Sequence, residues 1–99
     1  MAYQIEWADS FTLDVQELIE VYQKYYSQKK AEAIADSIFR KTDLLKTNPR
    51  MGKASQKYEN VYSIPLTADY RLYYLVTSDA IEMLRILNMT SNPKRNPFE

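Results

Sequence analysis

The chain contains no cysteine, no histidine and a single glycine in 99 residues. Without cysteine there is no disulfide, thiolate zinc site or sulfur nucleophile. The missing histidine removes the commonest general base at neutral pH and the commonest transition-metal ligand. No metal-ligand spacing, phosphate loop, dinucleotide fingerprint or G-x-S-x-G elbow occurs, so neither a metal nor a cofactor is expected. No apolar run approaches the roughly 20 residues that span a bilayer. The opening "MAYQIEWADS" lacks a basic stretch before an apolar one. The expectation is a cytoplasmic protein without a membrane partner.

Net charge is also lacking, with 13 basic and 13 acidic residues. Residues 1–48 carry eight acids and six bases, and residues 49–99 carry seven bases and five acids. Any electropositive surface therefore belongs to the second half. Tight non-specific binding of nucleic acid usually neutralises several phosphates at once, and this balance argues mildly against it. What the chain has in quantity is tyrosine, nine in all, a side chain suited to half-buried surfaces and interfaces.

The length allows one domain with one core, residues 1–99. "YQIEWA" alternates like a short strand. Phe11, Val15, Leu18, Ile19, Tyr22 and Tyr26 recur at helical spacing, with Asp9 or Ser10 as the expected cap. Ser27 restarts a second helix, whose stripe is Ala31, Ile34, Ala35, Ile38, Leu45 and the nearby Phe39. Asn48-Pro49 closes it. The polar loop "RMGKASQKYEN" leads to three strand-like runs, "VYSIPL", "DYRLYYLV" and "AIEMLRILNM", the last two joined by a turn at "TSDA". Pro65 cannot donate to a ladder and points to an edge or a bulge. The segment 91–99 reads as extended and mobile.

The order β-α-α-β-β-β predicts an α+β fold, a four-stranded, mainly antiparallel sheet with a helical hairpin packed on one face. Period-two alternation then puts Leu72, Tyr74, Val76, Leu84 and Ile86 under the helices. Arg71, Tyr73 and Arg85 share the open face. On spacing alone, these arginines are as readily solvated strand residues with stems lying on tyrosines as they are the walls of a cationic, aromatic-lined groove.

The helical hairpin, then "NPRMGKASQKYENVYSIPLTADYRLYYLV", then "EMLRILN", resembles the RelE/ParE superfamily of bacterial type II toxins. The run "YSIPLTADYRLYY" is similar to the YoeB branch. The resemblance spans about residues 2 to 90. It implies a growth-inhibiting, plasmid-stabilising toxin neutralised by a cognate antitoxin. RelE- and YoeB-like members are endoribonucleases that cleave mRNA on the ribosome, and ParE-like members poison DNA gyrase. For a ribonuclease it implies catalytic Arg71, Arg85, Lys53 and Tyr73, with RNA held by Lys53, Lys57 and Arg50. Arg71 matches the strand arginine that stabilises charge at the scissile phosphate. The pattern departs where the family has a glutamate (Ser55 or Gln56 here), a histidine near the last strand's end (Asn88 and Met89) and a second arginine (Thr90). Three readings follow. They are a ribosome-dependent ribonuclease, which the local YoeB likeness favours, a non-catalytic gyrase inhibitor, and a detoxified antitoxin-binding homologue.

Overall fold

The computed structural model describes residues 2–90 and 96–99. Its elements are β1 (Gln4–Trp7), α1 (Asp9–Tyr25), α2 (Gln28–Leu45), β2 (Lys53–Ala54), β3 (Val61–Pro65), β4 (Tyr70–Val76) and β5 (Ala80–Asn88). The sheet order is β1-β5-β4-β3-β2. β1 runs parallel to β5, and every other pairing is antiparallel. The α+β hairpin-on-sheet architecture is as expected, with one strand more than expected. β2 is too short to leave a periodic pattern, and it exists because Lys53 and Ala54 pair with Ser63 and Tyr62.

Both helices bury the stripe that their spacing marks. Phe11, Val15 and Leu18 of α1 and Ala31, Ile34, Ile38 and Leu45 of α2 are buried. They pack on Leu72, Tyr74, Val76, Ile81, Met83 and Ile86 of the sheet. Ser27 caps α2, its hydroxyl accepting the Lys30 N–H at 3.1 Å. At α1 the expected cap is replaced. Ala8 holds the cap position without a side-chain bond, while Ser10 donates its hydroxyl to the Leu84 carbonyl at 2.7 Å. Asp9 sits in the first turn, where a carboxylate suits the helix dipole. Two aromatics of the stripes lie outside the core: Tyr26 is exposed and tilted against Tyr22, and Phe39 is exposed and stacked on Trp7. Pro65 ends β3 beyond the two residues that β2 covers, so no ladder donor is missed there.

The expected face of β5 changes half-way along the strand. Tyr73 pairs with Arg85 but Tyr74 pairs with Met83, so Leu84 is an extra residue, a β-bulge. Before the bulge Ile81 and Met83 enter the core, and after it Ile86 does. Met83 thus takes the buried place that simple alternation gives to Leu84.

Tyr74 is fully buried and its hydroxyl accepts the Gly52 N–H at 3.2 Å. Burial pushes its pKa up, and the Gly52 bond opposes this in part. The folded state then holds the Tyr74 proton at a pH where the unfolded chain releases it, above about 10. The resulting stabilisation is complete below about pH 10 and is lost as pH rises through the folded value. Melting temperature should therefore fall as pH rises above about 10. Tyr74→Phe should fall less steeply across that range, from a starting point about 1 kcal/mol lower for the lost hydrogen bond.

Asn60 has φ of 63° and its carbonyl accepts the Val76 N–H at 2.8 Å. This left-handed conformation disfavours β-branched residues. Asn60→Val should cost about 1–2 kcal/mol in denaturant titration and Asn60→Gly about nothing.

Candidate functional site

The face of the sheet turned away from the helices carries Ser63 on β3 and Arg71 and Tyr73 on β4, placed together by antiparallel pairing. Ser63 opposes Tyr73, and Pro65 opposes Arg71. The Arg71 guanidinium is held flat along β3. Its Nε donates to Ser63 Oγ at 3.1 Å and its Nη2 to the Ser63 carbonyl at 3.2 Å. Two fixed points leave the rest of a five-donor fork directed by the strand rather than by a mobile side chain.

Arg71 and Tyr73 line an open cavity of roughly 650 Å³ together with Lys53, Gln56, Met89 and Glu99. Lys53 arrives there through Gly52. A Cβ on Gly52 would lie 2.6 Å from the Ser63 carbonyl and 2.7 Å from the Tyr74 hydroxyl. Only glycine lets this loop approach β3 closely enough for Lys53 to pair with Ser63 beside the cavity.

Tyr73 is buried by residues that follow the sheet. The Phe98 ring stacks on it at 4.6 Å with 16° between planes. Asn96 donates its side-chain N–H to the Tyr73 hydroxyl at 2.9 Å. Ser55 donates to the Phe98 carbonyl, and Tyr58 meets the Phe98 ring edge-on at 6.2 Å. The segment 91–99 reads as mobile in the sequence. Residues 91–95 lie outside the described residues, whereas 96–99 are packed on the sheet.

The other sequence-predicted residues lie elsewhere. Arg85 is turned toward α1, not onto the open face. Its Nε donates to Asp14 Oδ2 at 2.6 Å and its Nη2 to Asp14 Oδ1 at 3.3 Å. The same Asp14 Oδ2 accepts the Ile86 N–H at 2.9 Å. The hydrogen bond to Asp14 raises the Arg85 pKa further. Although Arg85 pairs with Tyr73 in the ladder, β1 covers β5 only as far as Met83, and Asp14 of α1 meets the β5 edge at Arg85 and Ile86. Arg50 has its pKa raised chiefly by a hydrogen bond with Tyr3, with Tyr62 also near. Tyr62 stacks on Tyr74, so Arg50 belongs to the opposite side from Arg71. Lys57 lies over the Tyr58 ring at 5.8 Å. The structure thus brings together Lys53, Arg71 and Tyr73, and separates Arg50, Lys57 and Arg85 from them. It adds Ser63, Asn96, Phe98 and Glu99. Ser63 follows from strand pairing. No periodic signal marks the other three.

This hairpin-on-sheet frame is matched across nearly all of the chain. Residues 5–93 match the family model of the ParE toxin of the type II toxin–antitoxin system parDE. The chain belongs to the ParE toxin family. Among solved structures, this toxin is similar to a chain of the chromosomal ParDE system from P. aeruginosa. That match has a TM-score of 0.74 and 17% identity, covering 88% of this chain and 96% of that one. It is also similar to a chain of the E. coli DinJ–YafQ toxin–antitoxin complex, with a TM-score of 0.66 and 15% identity over 92% of this chain and 97% of that one. A third match is the YoeB dimer from Staphylococcus aureus, with a TM-score of 0.59 and 14% identity over 86% and 94%. No curated protein matches the chain. At these identities the structural matches speak for the fold. The toxin class rests on the family model. Among the described residues no three acidic side chains gather as a metal site, and no helix is long and apolar enough to cross a membrane.

Proposed function

We propose that this toxin acts by binding its target rather than by cutting RNA, and that the target is DNA gyrase, with a cognate antitoxin as its neutralising partner. The observation that carries the reading is how the arginines and tyrosine of the expected ribonuclease site are used. Arg85 is committed to Asp14, Arg71 is tied to Ser63, and the Tyr73 hydroxyl lies under Phe98 and Asn96. General acid–base catalysis needs a group within hydrogen-bond reach of the proton it moves. With no histidine in the chain and Tyr73 enclosed, the geometry supports charge recognition better than proton transfer. The match to the ParE model points the same way.

The test is plasmid supercoiling by purified gyrase with increasing toxin. Halted supercoiling with trapped cleavage complexes is the expected result, and normal supercoiling at saturating toxin would refute the reading. The second reading is a ribosome-dependent ribonuclease. One observation favours it: Lys53 and Arg71 line one cavity, as a scissile phosphate would need. Primer extension on an mRNA in a reconstituted translation reaction decides between them. New cuts that vanish in Arg71→Ala would establish the ribonuclease, and an intact message would refute it and leave the supercoiling assay to decide on gyrase.

A further inference from the structure

The residues 96–99 sit on the outer face as a bound peptide would. Phe98 supplies a ring that lies parallel to Tyr73, an offset-stacking distance away. Its carbonyl is read by the Ser55 hydroxyl, and the same Ser55 oxygen accepts the N–H groups of Lys57 and Tyr58 at 3.1 and 3.2 Å. Asn96 closes the other side on the Tyr73 hydroxyl, and its own Oδ1 accepts the Phe98 N–H at 3.0 Å. Glu99 then lines the same cavity as Lys53 and Arg71, which places an acid on a wall that carries both cations. Tyr73, at 1% exposure, owes its burial on this side to that segment.

We propose that the outer face is a peptide-recognition site for an aromatic residue followed by an acidic one, and that Phe98–Glu99 occupies it in cis. Any partner segment of that chemistry must displace the chain's own residues, so the apparent affinity of the partner is reduced by the fraction of time the site is already filled. The contacts favour a peptide over a nucleotide. What the face holds in this structure is peptide, with its carbonyl met by Ser55 and its ring by Tyr73. The proposal rests on the toxin assignment only in expecting a protein partner, and not on which target the toxin poisons.

Nitration by tetranitromethane, mapped residue by residue in the full chain, tests it. Tyr25, which is 68% exposed, reports reagent activity in every sample. In the parent, Tyr73 should react at least about tenfold more slowly than Tyr25, the factor expected of one well-made aromatic stack. In Phe98→Ala that protection should be lost, and the acetylated, amidated peptide Asn-Pro-Phe-Glu, added at millimolar concentration, should restore it. Asn-Pro-Ala-Glu should not. Equal Tyr73 reactivity in parent and Phe98→Ala overturns the cis occupant. Equal protection by the two peptides, or by neither, overturns the aromatic–acidic specificity. Protection by a single-stranded RNA oligonucleotide and not by Asn-Pro-Phe-Glu overturns the peptide assignment in favour of nucleic acid. None of these readouts contains gyrase or ribosomes, so a failed supercoiling test and a failed nitration test are separate results.

Discussion

Replacing Asp14 by alanine should lower stability by about 2–3 kcal/mol, the largest single-site loss expected outside the apolar core. Asp14 has a side chain only 12% exposed and meets both Arg85 and the Ile86 N–H. Its removal has two consequences of different size. The Arg85 side chain is 41% exposed and can turn to water, so much of the ion pair's loss is recovered by hydration. The Ile86 N–H has no such exit, because Ile86 is packed into the core beneath α1. An unsatisfied buried donor costs about 1–3 kcal/mol, and this dominates. For a domain of this size the midpoint should fall by about 10–20 °C in thermal melts. Asp14→Asn keeps an acceptor for Ile86 and should retain about half of the lost stability. Equal destabilisation by Asn and Ala would show that charge, not the backbone donor, is what Asp14 serves. Arg85→Met should leave inhibition of the target unchanged, since Arg85 lies away from the Arg71 cavity.

Gly52→Ala should be the next most damaging change, at about 2–3 kcal/mol by overpacking. Its Cβ would overlap the Ser63 carbonyl and the Tyr74 hydroxyl. The first is backbone and the second is locked in the core, so neither can swing away. The loop must retreat, breaking the Gly52–Tyr74 bond and the pairing of β2 with β3. Lys53 then leaves the cavity, and the change reaches beyond stability. Binding at the Arg71 face should weaken in Gly52→Ala even at a temperature where the variant remains folded. Lys53→Ala should reproduce that weakening without the loss in melting temperature. If Gly52→Ala melts within about 2 °C of the parent, the close approach is not a constraint on the fold.

The sequence carries the skeleton of this structure because helices and strands announce themselves by period. The stripe through Phe11, Val15 and Leu18 and the cap at Ser27 are local signals. The sharing of one face by Arg71 and Tyr73 follows from the two-residue repeat of a strand. Arg85 shows where such reasoning stops. Met83, Leu84 and Ile86 are all apolar, so nothing in their order marks the extra residue at Leu84, which puts Met83 rather than Leu84 in the core, and nothing in the strand shows that β1 stops at Met83 and leaves Arg85 to an ion pair. Its partner Asp14 lies on the first helix, and a pairing across so much chain leaves no trace in either neighbourhood. β2 has two residues and therefore no period. Asn96 and Phe98 follow prolines in a polar stretch, and their docking depends on a platform made by Tyr73 of β4 and by Ser55 and Tyr58 of the loop after β2.

The parallel pairing of β1 with β5 has a consequence for how the toxin comes into being. Gln4 finds its neighbour at Ala80, and Trp7 at Met83. A ribosome adds about 5–20 residues per second, so β1 waits several seconds for a partner that lies 80 − 4 = 76 residues further along the chain. During that interval the helical hairpin, whose contacts are local, can form, but β1 has no strand to pair with. The five-stranded frame is therefore complete only once β5 takes its place between β1 and β4.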